Sequence, residues 1–354
     1  MATEAIPVVS MTPSQLTELL LKAIPAHHPV LITGMPGCGK SEISNAVINQ
    51  LQCDLILSHP VVSDPTDYKG LPMASPGDTE ARFLPFGDLA KAKRATKLTA
   101  WMFDDIGQAQ PATQASLMQL ILCGELNGVK LPPVISFLAV TNRRTDRAGV
   151  SGILEPVKSR FVTIVDLMPN IDDWSNWANN TGWISPMLIA FLRFRPDLLA
   201  AFQASADMTN SPTPRTWVNL SKVENLGLSS PVESIAFAGS VGHAASLEYI
   251  AFRRMYHSLT LIDAVMANPD KVTLPSKSNE LYAVCTGLAH RANEQNFARI
   301  CKFAERLATE AGRGEFSTML VKDCTRRNEK IVYTDAYVRS QCGVIGQLMS
   351  GSNN

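Results

Sequence analysis

Three things are scarce in this sequence, and each scarcity argues against a class of protein. Net charge is zero, because 32 lysine and arginine residues are matched by 32 aspartate and glutamate residues. A balanced chain lacks a broad electrostatic grip on nucleic acid or on acidic membranes, although a local patch stays open. Paired cysteines are missing: the seven are scattered, with no C-x-x-C. That pattern argues against a disulfide framework or a zinc site and fits a reducing compartment. Long apolar runs are missing as well, and none approaches the roughly 20 residues of a spanning helix. The opening MATEAIPVVSMTPS has a glutamate and no basic n-region. No secretory leader is expected, and a cytoplasmic location is. Internal repeats are absent.

What is present is an ordinary globular composition, 45% hydrophobic and 18% charged, over 354 residues, enough for two domains. MTPSQLTELLLKAI (11–24) predicts a helix capped by Thr12 or Ser14. Five apolar, β-branched or strand-like runs follow, at 29–34, 54–58, 97–105, 134–142 and 160–167, with helices expected at 40–51 and 111–123. Alternation of this kind predicts an α/β fold with a parallel sheet covered by helices on both faces. Residues 60–88 are rich in Pro, Gly, Asp and Ser and read as a long loop with a hairpin near ARFLPF. Asn127-Gly128 in GELNGVKL suits a type I′ hairpin turn. After Pro169 the pattern turns helical, with breaks near 180–186, 209–214, 227–231, 268–279 and 311–316, and a frayed tail MSGSNN. The expected domains are 1–168, α/β, and 169–354, a helical lid with a helical C-terminal extension.

The chemistry concentrates in GMPGCGKS, Gly34 to Ser41, which satisfies G-x-x-x-x-G-K-[ST] between a strand and a helix. Gly34, Pro36, Gly37, Cys38 and Gly39 would curl the backbone so that its N–H groups surround phosphate oxygens, aided by the helix N-terminus. Lys40 would reach the β- and γ-phosphates of a nucleotide, and the Ser41 hydroxyl would ligate Mg²⁺. WMFDD ends the third strand on Asp104 and Asp105, at the edge where open α/β sheets bind ligands. Asp104 would hold Mg²⁺ through its water shell, and Asp105 would polarise the attacking water. Asn142 ends the fourth strand, where a neutral amide can hold that water or the γ-phosphate. Arg160, before the fifth strand, and Arg215, in SPTPRTW beside the capping candidates Thr213 and Ser211, are candidates to meet γ-phosphate charge. Each of these residues also has a plainer reading as a turn, cap or surface group; their order along the chain favours the chemical one.

In that order GMPGCGKS, WMFDDIGQA, AVTN, LEPVKSRF and SPTPRTW resemble an AAA+ ATPase of the MoxR type, over about residues 28–225. SDPTDYKG…ARFLPFGDL is similar to that branch's insertion in the second helix, and ELNGVKLPPVISFLAVTN to its hairpin before the sensor strand. The resemblance implies a P-loop NTPase sheet with an all-α lid, ATP or ADP with Mg²⁺, and a homo-oligomeric ring, commonly a hexamer. It implies Walker B roles for Asp104 and Asp105, sensor 1 for Asn142, sensor 2 for Arg215, and for Arg160 an arginine finger acting on the neighbouring subunit's nucleotide. It also implies a client protein, often one with a von Willebrand A domain, that is remodelled or assembled, with no membrane partner. Adenine specificity follows from the resemblance alone.

The sequence departs from that family in two places. Asp105 stands where the family has Glu, one methylene longer, so slow or partner-stimulated hydrolysis is expected. Ile106-Gly107-Gln108 replaces Ile-Asn-Arg, and Arg143, Arg144 and Arg147, just after sensor 1, are alternative sources of an interface charge. Cys38, at a helix N-terminus beside Lys40, is expected to have a lowered thiol pKa and to react with alkylating agents unless nucleotide protects it. Leu71, Phe83 and Phe86 either grip a partner or pack beneath the loop. Three rival functions keep the same fold: a slow ATP-gated scaffold favoured by Asp105, a nucleic-acid motor that zero net charge weighs against, and a small-molecule P-loop kinase.

Overall fold

The computed structural model describes residues 9–74, 80–146, 152–205, 207–257 and 260–351. The chain divides into two compact units, Met1–Asn170 with Phe202–Ala206, and Ile171–Ala201 with Asp207–Asn354. The first unit holds ten described strands: β1 (Ser10–Met11), β2 (Val30–Gly34), β3 (Asp54–Ser58), β4 (Leu71–Met73), β5 (Arg82–Leu84), β6 (Thr99–Phe103), β7 (Glu125–Leu126), β8 (Val129–Lys130), β9 (Ile135–Val140) and β10 (Thr163–Leu167). Its helices are α1 (Pro13–Ala23), α2 (Lys40–Gln50), α3 (Pro65–Lys69), α4 (Gly87–Lys93), α5 (Pro111–Cys123) and α6 (Glu155–Lys158).

Six strands form one parallel sheet in the order β1-β10-β2-β9-β6-β3. Strands β6 and β9 are buried at every position, which is why TAWMF and ISFLAV read as unbroken apolar runs rather than alternating ones. Alternation survives between the two faces. Ala100 and Met102 pack with Leu16, Leu20, Val47 and Ile48 of α1 and α2. Trp101 and Phe103 pack on the other face with Leu117, Leu120 and Ile121 of α5. There Tyr68, Trp101, Phe103 and Phe137 form a ring cluster with centroids 5.3–6.3 Å apart. Such ring pairs each contribute about 0.5–1.5 kcal/mol beyond burial.

Local signals explain the element ends. Thr12 caps α1 with a capping box to Gln15, and Pro111 starts α5 at its first turn. Asn127 (φ 50°) and Gly128 (φ 77°) both lie in the left-handed region, as a type I′ turn requires, and join the antiparallel pair β7–β8. The segment 60–88 differs from the expected loop. It contains α3, capped by Asp64 in a box with Asp67, as well as the antiparallel hairpin β4–β5. Leu71, Phe83 and Phe86 are exposed there rather than packed beneath the chain. The edge strand β1 was not expected either, because two residues are too few to show a period.

The second unit is helical throughout its described residues: α7 (Ile171–Thr181), α8 (Pro186–Phe194), α9 (Pro214–Glu224), α10 (Ser230–Val241), α11 (His243–His257), α12 (Leu261–Ala267), α13 (Ser278–Arg291), α14 (Phe297–Thr309), α15 (Gly314–Arg327), α16 (Asp335–Cys342) and α17 (Val344–Gly351). Two cores hold it. One gathers Phe191, Trp217, Leu220, Phe237 and Tyr249, the other Leu288, Phe297, Phe303, Leu320 and Ile345. Between α8 and α15 the Arg193 guanidinium forks onto the Asp323 carboxylate, with side chains only 7% and 2% exposed. The architecture is an α/β P-loop sheet flanked by helices and followed by a helical C-terminal region.

Candidate nucleotide site

The site forms where three neighbouring strands, β2, β9 and β6, deliver their C-terminal ends. Strand β2 ends at Gly34, and the loop from Met35 to Gly39 runs directly into α2, whose first residue is Lys40. Gly37 (φ 73°) and Gly39 (φ 103°) adopt left-handed backbone, which disfavours side chains at the turn and at the helix entrance. Gly34 is required for a different reason: a Cβ there would lie 2.9 Å from Cys38 Sγ and 3.0 Å from the Leu167 carbonyl oxygen. Pro36 and Gly37 form the half-buried tip of the turn.

Lys40 is 7% exposed, and its burial is compensated by oxygen dipoles. Its Nζ donates to the carbonyl oxygens of Gly34 at 2.9 Å and Met35 at 3.0 Å, and to Asn142 Oδ1 at 2.9 Å. Asn142 follows β9 by two residues, and its Nδ2 donates to Asp105 Oδ1 at 3.3 Å. A lysine can only donate and a carboxylate can only accept, so the two contacts fix the orientation of the amide. Ser41 Oγ donates to the Asp104 carboxylate at 3.2 and 3.3 Å. The chain thus brings together Gly34, Pro36, Gly37, Cys38, Gly39, Lys40, Ser41, Asp104, Asp105 and Asn142.

Asp105 itself has φ 56° and ψ 35°, a left-handed conformation that Asp adopts more readily than most residues. Backbone in this region is a recurrent feature of reactive sites.

The expected reactivity of Cys38 is overturned. The side chain is 4% exposed, and burial pushes the thiol pKa up. The Lys40 charge, with Sγ 3.8 Å from Nζ, offsets this only in part. The loop folds the thiol inward against Gly34, so desolvation outweighs the cation and the helix end.

The arginines have separate settings. Thr163 pairs with Val30, so Arg160 belongs to the entry edge of the sheet, at least about 13 Å of strand from Gly34. Its Nε is buried without a hydrogen-bond partner among the described residues. Arg215 is on the other unit, exposed at the second position of α9, whose N-cap is Thr213 rather than Ser211. Arg143 forks onto Asp166, with Nε 2.6 Å from Oδ1 and Nη2 2.5 Å from Oδ2, and so is engaged within its own chain. Arg144 is exposed, and Arg147 lies outside the described residues. Sequence reasoning missed Asp166 and Thr33, whose Oγ1 donates to Asp166 Oδ1 at 3.0 Å. The available signal was a lone aspartate in the otherwise apolar end of β10.

Among the described residues no group of three His, Cys, Asp or Glu side chains is placed to hold a metal unaided. Magnesium with a nucleotide does not need one, because the phosphates supply ligands and a hydroxyl with one carboxylate completes the protein's share. The Ser41–Asp104 pair would be that donor set, and the left-handed glycines of the loop, Gly37 and Gly39, at the entrance of α2 suit phosphate. The residues therefore fit Mg²⁺ and a nucleoside triphosphate.

One strand, β9, separates the loop strand β2 from the carboxylate strand β6. That order, with the loop, makes this a P-loop NTPase fold. Solved structures with which it shares a weak overall likeness include a mutant of RuvB from Thermotoga maritima, at 15% identity over 72% of this chain and 77% of that one, TM-score 0.40. NtrX from Brucella abortus in complex with ADP gives 15% identity over 88% and 68%, TM-score 0.42. No family model and no curated protein matches the chain. Strand order and glycine loop, rather than these likenesses, define the fold. No helix among the described residues is long and apolar enough to cross a membrane.

Proposed function

We propose that the chain binds Mg²⁺·ATP at the end of β2, β9 and β6 and hydrolyses it within a homo-oligomeric ring, remodelling or assembling a partner protein as MoxR-type ATPases do. The observation that carries the reading is the chain of contacts from Lys40 through Asn142 to Asp105, beside the Ser41–Asp104 pair. A bound Mg²⁺·ATP would supply the scissile phosphoanhydride and the charge to be neutralised. Lys40 would exchange its loop carbonyls for phosphate oxygens, Ser41 and Asp104 would hold the metal directly and through water, and Asn142 and Asp105 would orient the attacking water. Arg160, distant from its own chain's loop, fits a finger that serves a neighbouring copy, and Arg215 fits a lid residue answering the γ-phosphate. The exposed Leu71, Phe83 and Phe86 of the β4–β5 region are candidates to contact a client, a von Willebrand A domain protein being the family's precedent.

A second reading, a slow-turnover ATP-gated scaffold, is favoured by one observation: the short Asp105 side chain is tethered to Asn142. Steady-state ATP hydrolysis by the purified protein, alone and with Asp105→Asn, tests both. Removing a general base typically costs about 10²–10⁴-fold. A motor loses turnover by that factor in Asp105→Asn while keeping ATP binding and ATP-dependent assembly on a sizing column. Unchanged hydrolysis in the variant overturns the assigned role of Asp105, and assembly without measurable turnover in the unaltered protein selects the scaffold.

A further inference from the structure

We infer that Arg143 and Asp166 form a positioning pair that sets the Asn142 amide between Lys40 and Asp105, an inference that rests on the nucleotide reading above. Strand β9 pairs with β2 as far as Val140, and the Thr141 amide still donates to the Ile32 carbonyl at 2.9 Å. Beyond that point the ladder stops, yet Asn142 must present one amide face to a cation and the other to a carboxylate. The next residue supplies the anchor. The Arg143 guanidinium meets Asp166 through two parallel bonds, of 2.6 and 2.5 Å, a geometry that fixes a plane as well as a distance.

The anchor is itself fixed. Asp166 is 7% exposed and lies opposite Thr33 in the β10–β2 register, one residue before Gly34. Thr33 Oγ1 donates to the same carboxylate oxygen that accepts from Arg143 Nε. One buried carboxylate therefore ties the base of the phosphate loop to the peptide that carries Asn142. Loosening Arg143 lets Asn142 swing while the loop glycines, Lys40 and Ser41 stay in place. Nucleotide binding should survive and the oriented water should not, and a displacement near 1 Å costs on the order of 100-fold in rate.

The test compares Arg143→Ala, Arg143→Lys and the double variant Arg143→Gln/Asp166→Asn, which replaces the ion pair with neutral hydrogen-bonding groups and guards against misfolding of the single variant. Expected are a kcat for ATP lowered about 10- to 100-fold with Kd for a fluorescent ATP analogue changed less than about threefold, and only partial recovery in Arg143→Lys, which cannot fork. A mixing experiment separates this from an arginine acting on a neighbour. Asp105→Asn subunits carry an intact Arg143 but no competent site of their own. If Arg143 serves its own Asn142, adding them to Arg143→Ala subunits restores nothing. Recovery of turnover on mixing, or full kcat in the folded double variant, overturns the inference. Failure of the unaltered protein to bind ATP sinks the site reading first, and this inference with it.

Discussion

Replacing Lys40 with alanine separates what this side chain does for the fold from what it does for a ligand. In the folded chain Nζ satisfies three oxygens, those of Gly34, Met35 and the Asn142 amide. Removing it leaves buried acceptors short of a donor, at about 1–3 kcal/mol each where water cannot replace it. The same change removes the penalty of burying an ammonium group, several kcal/mol of opposite sign. The two terms nearly cancel, and the melting temperature should move by only a few degrees. Ligand binding has no such cancellation. A hydrogen bond from a charged donor contributes about 1.5–3 kcal/mol, and Lys40 surrenders part of its present set to meet phosphate. At 1.4 kcal/mol per tenfold, ATP affinity should fall roughly 10- to 100-fold. Titration of a fluorescent ATP analogue with Mg²⁺, paired with a thermal melt, reads both quantities. A folded Lys40→Ala protein with affinity within threefold of the unaltered chain would refute the placement of phosphate at this loop.

Three further outcomes are expected. Cys38 should be among the last thiols modified by iodoacetamide, behind the exposed Cys123 and Cys342; its pKa is raised, so thiolate stays scarce until pH climbs through that higher value. Peptide mapping that finds Cys38 labelled as fast as Cys123 contradicts this. Gly34→Ala should lose nucleotide binding, because its Cβ meets both Cys38 Sγ and the Leu167 carbonyl oxygen; Cys38→Ala relieves only the first clash, so binding fully restored in the double variant is the adverse result. Arg193→Ala strands the buried Asp323 carboxylate and should cost about 3–5 kcal/mol in urea unfolding of the helical unit, whereas Arg193→Leu/Asp323→Leu should recover most of it. A single variant as stable as the parent would show that water reaches Asp323.

The parts of the molecule legible in the sequence are those governed by local rules. Gly34 to Ser41 carries its own geometry, Asn127-Gly128 names its turn, and Thr12 and Pro111 mark helix starts. WMFDD and AVTN could be placed at strand ends because central parallel strands are apolar at every position. Strand β3 matched its expected limits, whereas β2, β6, β9 and β10 ran one to three residues short at one or both ends, since ladder pairing covers less of the chain than the run of strand-like residues. What escaped depends on distance along the chain. Arg143 and Asp166 are 23 residues apart, and only the adjacency of β10 to β2 makes their contact visible. Cys38 was misjudged because sequence shows the neighbouring lysine but not which way the thiol turns. The helix breaks at Gly242, around Asn293–Asn296 and around Asn328–Thr334 went unread, as polar helix ends there resemble ordinary exposed turns.

Trp101 is the only one of the five tryptophans that lies before residue 174, and it is fully enclosed three positions ahead of Asp104. Its indole N–H donates to Ser58 Oγ at 2.9 Å, while the Ser58 carbonyl oxygen takes the Asp104 amide at 2.9 Å. One serine therefore couples a dry fluorophore to the backbone of Asp104, the carboxylate that contacts Ser41. Phenylalanine at 174, 177, 183 and 217 would leave a chain whose ultraviolet emission reports, without any attached dye, on movement at the sheet's reactive edge.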